Sequence, residues 1–150
     1  MIAGVILALT LWPFGSHHAK PAAAPPAPIP PAVLPSPSEM AVLAHSAVSF
    51  ARLEDNAVSM PGLTSDVKTC YTALGLSPTI GRAAYCIMLD TAAGRIAGAG
   101  GETFTPDYFK EAVRAERELK LEQKLTPPDQ RRDFVREMDE AELAAENAAP

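Results

Sequence analysis

Residues 65–97 read SDVKTCYTALGLSPTIGRAAYCIMLDTAAGRIA, and the punctuation inside this stretch decides the fold. Val67, Cys70, Tyr71 and Leu74 recur at i, i+3, i+4 and i+7, which predicts a helix from about Ser65 to Leu74 with Gly75 as a left-handed terminator. Ser77-Pro78 restarts the chain, and Ile80 to Ala97 is apolar almost all round, interrupted by Arg82, Asp90 and Arg95. A helix without a wet face belongs at the centre of a bundle. A turn of only a few residues makes the two helices antiparallel neighbours.

Cys70 and Cys86 stand on opposite arms of this hairpin, within a helical turn of being level. If the chain is exported, the expected state is a disulfide, worth about 3 kcal/mol for a loop of this size. If it stays in a reducing compartment, the two are buried thiols that pack as small hydrophobes. Tyr71 and Tyr85 flank the cysteines and are expected to cover them. Asp90 is the odd residue of the central helix, and a carboxylate there requires a partner such as an arginine, a tyrosine hydroxyl or a capping amide.

Upstream, Ser36-Pro37-Ser38-Glu39 combines a capping residue, a proline at the first helical position and a glutamate that reaches back to the cap. The helix that follows turns Met40, Leu43, Ala44, Ala47, Phe50 and Ala51 to one side and ends before Asn56 and the Pro61-Gly62 break, with His45 half-buried near its core face. Before this helix come two segments of different character. Residues 1–16 hold the uncharged apolar run IAGVILALTLWPF at 2–14, which as a helix covers roughly 20 Å, short of a ~30 Å hydrocarbon core. A signal peptide is the better fit, and a short uncleaved membrane anchor the alternative. Residues 17–37 are a disordered Pro/Ala-rich spacer: eight prolines between Pro21 and Pro37 impose a polyproline II path reaching about 50 Å.

Downstream, Gly94, Gly98, Gly100 and Gly101 read as a hinge or terminator of the central helix. Thr105-Pro106-Asp107 is expected to cap a long helix, with Phe104 and Phe109 as a hydrophobic staple. On that helix Tyr108, Ala112, Ala115 and Leu119 share one face, whereas Leu121 and Leu125 point away from it, so the buried face changes and the C-terminal turns either meet a different neighbour or project to find a partner helix. Thr126-Pro127-Pro128-Asp129 ends it and begins another, on which Phe134, Met138, Ala141 and Ala145 form a thin apolar stripe. An intramolecular hairpin of these two helices is the simplest docking surface for the last one. The expected whole is an all-α bundle of about four to five helices around the stapled hairpin, with a helical core at 38–101 and a charged amphipathic pair at 102–150.

The formal charge of −5 divides as −1 over 1–62, +1 over 63–101 and −5 over 102–150. No segment has the basic excess that backbone-driven nucleic-acid binding requires. Two cysteines and His45, with His17 and His18 across the spacer, fall short of a zinc set. No His-Glu-x-x-His or Gly-x-Ser-x-Gly occurs, and the glycines leave a helix where a phosphate loop would lead into one. No cofactor is implied.

The functional expectation is a non-enzymatic protein-interaction or structural role in the cell envelope, in the periplasm or another extracytoplasmic space, with the inner membrane contacted through residues 2–14 if they are retained. The partner is another protein or a second copy, met through an exposed strip of Leu121, Leu125, Phe134 and Met138 on the C-terminal helices. Leu125-Thr126-Pro127-Pro128-Asp129-Gln130 resembles, with one residue more before the glutamine, the Leu-Thr-x-x-Gln repeat of small periplasmic stress adaptors and helical chaperones. That resemblance implies a client-binding or signalling role, although capping chemistry produces the same letters. An enzyme is the remaining alternative, and a polar pocket around His45, Tyr71, Tyr85 and Asp90 would be its mark.

Overall fold

In a computed structural model, which describes residues 33–57, 59–101, 103 and 105–148, the hairpin of residues 60–98 lies at the centre of five α-helices, and the described residues contain no strand. The expectations for the apolar opening, for most of the spacer and for Phe104 fall outside these residues. Among the described residues no helix is long and apolar enough to cross a membrane.

Helix α1, Pro37–Ala57, begins as its sequence dictates. Glu39 Oε2 accepts from the Ser36 amide at 2.8 Å and from its hydroxyl at 2.7 Å, while the Glu39 amide donates to Ser36 Oγ at 3.4 Å. This reciprocal box satisfies amides that a helix start otherwise leaves open. Met40, Ala44, Ala47, Val48 and Ala51 are buried, so the face is built largely of alanines that let another helix approach closely. His45 lies on the opposite, exposed side, a correction to its expected half-buried position.

Helix α2, Met60–Leu76, starts five residues earlier than expected. Pro61 sits in the first turn, where its missing amide costs no hydrogen bond, and Gly62 follows inside the helix. The reversal from α1 is made at Ser59, whose φ of 116° carries the chain through the left-handed region. Gly75 does not terminate the helix; the last turn closes when the Ser77 amide donates to Ala73 O at 3.1 Å. Thr79 then caps α3, Ile80–Gly98, by accepting from the Arg82 amide at 3.2 Å.

Helix α3 is the central element and packs against every other α-helix. Its buried residues run from Ile80 through Ala97 and include Cys86, Ile87, Met88, Leu89 and Asp90. The antiparallel register with α2 sets Cys70 level with Cys86, and these two form a disulfide with Cα atoms 5.7 Å apart. Gly94 is inside α3 and is no terminator: a Cβ there would stand 2.6 Å from Arg114 Nε, so the glycine makes room for that side chain. The helix leaves through Gly101, whose φ of +95° favours glycine.

Thr105 does not cap the next helix. Its hydroxyl donates backward to Gly101 O at 3.1 Å, and a 3-10 turn at Asp107–Phe109 plus a break at Lys110 precede α4, Glu111–Leu125. Phe109 is buried and anchors this turn. Helix α5, Arg131–Ala148, docks on α1 and, less extensively, on α3, and does not form its main packing with α4. Its stripe is buried at Phe134, Met138 and Ala145 and completes the cover over α1, which takes Phe134 and Met138 out of the exposed strip in which they were expected.

Candidate functional site

Asp90 is fully buried on α3 and is the point to which two other helices send polar groups. From α4, Arg117 donates through Nε to Oδ2 at 3.0 Å and through Nη2 to Oδ1 at 2.8 Å. From α2, the Tyr71 hydroxyl donates to Oδ2 at 3.0 Å. The planar guanidinium matches the carboxylate in this two-pronged geometry, which a lysine could not reproduce. Its other face is closed by the Tyr108 ring, whose centroid lies 3.9 Å from Arg117 Cζ, and Lys68 approaches the same ring at 5.1 Å. Tyr108 in turn stands edge-on to the buried Phe109 at 5.3 Å.

A second polar layer lies one residue further along both helices. Glu118 Oε1 accepts from Thr91 Oγ1 at 3.2 Å and from Arg114 Nη1 at 3.4 Å. Arg114 is the side chain that passes over Gly94.

Burial pushes the Asp90 carboxyl above its ordinary range, against the hydrogen bonds and charge of Arg117. Burial also works against the Arg117 charge, but the Asp90 hydrogen bond and charge hold it above its ordinary value. Burial, with the charge of Asp90, drives the Tyr71 phenol strongly upward, so the hydroxyl keeps its proton as a donor. Both Asp90 oxygens are engaged by Arg117 and Tyr71, and the cluster clamps α2, α3 and α4 together.

Beside the clamp, Leu74, Ala83 and Cys86 form a buried cluster around the bridge, covered by Tyr71, Tyr85, Leu121 and Leu125. The tyrosines cover the disulfide as the sequence suggested. Leu121 and Leu125 do so as well, which overturns their expected exposure: both are half-buried on the bridge. Phe134 and Met138 are 1% and 3% exposed within the main core. The four residues therefore do not form one exposed strip. Leu125 and Thr126, the leading residues of the Leu-Thr-x-x-Gln resemblance, are also turned inward.

These contacts fix how α4 is rotated. At 3.6 residues per turn, Arg114, Arg117, Glu118, Leu121 and Leu125 share one face, and that face meets α3 and α2. Ala112, Ala115 and Leu119, expected to be buried, lie on the outer face and are exposed, Leu119 by 50%. No residue of α4 is fully buried. The helix docks with Leu121 and Leu125 on the bridge cluster and Arg117 on Asp90, whose buried charge demands a cation, and this leaves Ala112, Ala115 and Leu119 outside.

A separate polar group ties α5 to the body. Arg95 on α3 pairs closely with Glu146 and stands 3.6 Å from Glu142, while Arg52 on α1 donates to Glu146 O at 3.3 Å. Glu142 is 3% exposed and its Oε1 has no hydrogen-bond partner. Burial pushes its carboxyl up to about 7, with the Arg95 charge opposing and Glu146 and Asp139 adding to the shift.

The polar residues named as the mark of an enzyme do not converge. Tyr71 bonds Asp90, whereas His45 stands exposed on α1 and Tyr85 packs by the bridge. Among the described residues no group of three or more His, Cys, Asp or Glu side chains is arranged to hold a metal ion. An apolar groove of about 570 Å³ lies where the chain enters α1, lined by Val33, Leu34, Pro35, Val42, Leu43 and Gly81 among others. No protein family, curated protein sequence or solved structure was found to match this chain.

Proposed function

We propose that this chain is an exported or membrane-tethered protein of the cell envelope, in the periplasm or another extracytoplasmic space, with a non-enzymatic role in binding another protein chain. The observation that carries the reading is the rotation of α4: Ala112, Ala115 and Leu119 face solvent while the charged side of the helix is spent on Asp90 and Thr91. A helix held this way presents Ala112, Ala115 and Leu119 to a partner, with its backbone already ordered by the body. The Cys70–Cys86 bridge supports the compartment, since disulfides persist where thiols are oxidised. The partner surface is thus moved from Leu121, Leu125, Phe134 and Met138 to the opposite side of α4.

The test is photo-crosslinking of the full chain in the cells that make it. A benzophenone side chain in place of Leu119 is expected to give discrete protein adducts, and the same group in place of Leu76, 86% exposed at the end of α2, is not. Equal yields at the two positions would remove α4 as the recognition surface. Recovery of the protein in the cytosol with both thiols free would remove the compartment.

A further inference from the structure

Helices α2 and α4 both pack on α3 and only marginally on each other, and the gap between their C-terminal halves is a groove of about 340 Å³. Leu74 from α2 and Leu121 and Leu125 from α4 form its apolar floor beside the disulfide, with Tyr71 toward one end and Pro78 toward the other. Gly75 lines it without a side chain, and a Cβ there would meet nothing within 4 Å, so the space beside α2 is open.

The rim is cationic. At 3.6 residues per turn, Arg117, Lys120, Leu121, Lys124 and Leu125 fall on one arc of α4, with the two lysines on the edge that overhangs α2. Arg117 is engaged with Asp90, and Lys120 pairs with Glu116. Lys124 is exposed and makes no ion pair among the described residues. No carboxylate of the described residues lines the groove, although the whole chain carries a net charge of −5. An apolar floor, lysine stems as a wall and an ammonium at the edge complement an amphiphile with an anionic head.

We propose that this groove binds a single acyl chain with a carboxylate head, a medium-chain fatty acid, its head on Lys124 and its chain along Leu121 and Leu74. One unpaired ammonium matches one negative charge, and burial of methylene groups on the leucines supplies the remaining affinity. The volume is near the lower end for ligand cavities, which admits one chain and excludes the two of a phospholipid. The site lies on the other side of α4 from Ala112, Ala115 and Leu119 and goes beyond the binding role proposed for that face.

The full chain, isotope-labelled, is titrated with decanoate below its micelle concentration while amide shifts are followed. Saturable shifts concentrated at residues 71–78 and 117–125 are expected; no shifts, or shifts only elsewhere, would overturn the site. Decanol and decyltrimethylammonium carry the same chain and are each expected to bind about fivefold more weakly, whereas equal binding by either would overturn the charge match. Gly75→Leu fills the groove while removing a glycine from a helix, so it is expected to hold its fold and lose decanoate affinity at least about tenfold. Lys124→Gln, a surface change, is expected to weaken decanoate roughly fivefold and leave decanol unchanged. Undiminished decanoate binding in either variant, with the bridge formed and helicity intact, would overturn the proposal. Anionic phospholipid vesicles shifting the same residues where decanoate does not would assign the groove to a lipid surface and overturn the fatty acid.

Discussion

Arg117 and Asp90 are 27 residues apart in the chain, yet the guanidinium grips both oxygens of a carboxylate that has no solvent exposure at all. The pair decides which side of α4 faces the body, and so which side faces outward.

Removing the cation while leaving the acid should therefore be severe. Arg117→Met is expected to cost about 3–5 kcal/mol in denaturant unfolding at pH 8, because a buried charge loses its compensation. The deficit should shrink toward pH 5, where Asp90 without Arg117 takes up a proton more readily. Asp90→Leu combined with Arg117→Met should recover most of the loss. Equal and additive losses in the two single variants and their combination would show that the pair does not act as a unit.

The bridge supports the same helix from the other end. Cys70→Ala/Cys86→Ala is expected to lower stability by about 3 kcal/mol, the loop-closure value for cysteines 16 residues apart. Amide hydrogens of residues 111–125 should exchange earlier in this variant than those of α1, since Leu121 and Leu125 rest on the bridge cluster. Uniform acceleration across all helices would contradict that arrangement.

Glu142 gives the body a dependence on pH. Its folded carboxyl titrates at about 7 against an ordinary value of 4.5, so between these pH values the native state holds a proton that the unfolded chain has released. The stabilisation is fully present below about pH 4.5 and is lost as pH rises toward 7, an effect on the order of 3 kcal/mol. The carboxyls of Asp90 and Glu118 are raised too and carry the same sign. Thermal unfolding should thus move to lower temperature from pH 5 to pH 8, and Glu142→Gln should flatten that slope and raise the midpoint at pH 8. A variant whose slope matches the parent would show that Glu142 is not the titrating group.

Core and partner surface separate cleanly by substitution. Phe134→Ala should cost about 3–5 kcal/mol through the cavity it leaves, whereas Leu119→Ser should change stability by less than about 1 kcal/mol and abolish adducts from a benzophenone placed at Ala112. Differential scanning calorimetry of the two variants checks the first half of this expectation, and crosslinking checks the second.

Much of the architecture is legible in short-range pattern. The Ser36–Glu39 box, the bridge-bearing hairpin and the all-round apolar character of α3 each follow from spacing within a few turns, and the structure carries all three. The need of Asp90 for an arginine or a tyrosine hydroxyl was also legible, from the cost of a lone buried charge. The identity of Arg117 was not, because periodicity assigned α4 to the core by Ala112, Ala115 and Leu119, and two alanines offer little to bury. The usable signal was the line from Leu121 and Leu125 back to Arg117 and Arg114, a stripe that carries the cation Asp90 lacks. Glu142 is not legible for a similar reason: among many charges on α5, sequence spacing does not separate the one turned inward from those left in water.

Helix α1 is covered on one side by α3 and on another by α5, which Arg52 meets across 94 positions of sequence. Whatever machinery handles the nascent chain meets α1 unfinished, with alanines and Met40 still wet while its last neighbour is being made. The contact of α1 with α5 closes the longest loop among the helix pairs and carries the largest closure cost. Clipping the chain before Ala145 would uncover the beginning of the fold from its far end.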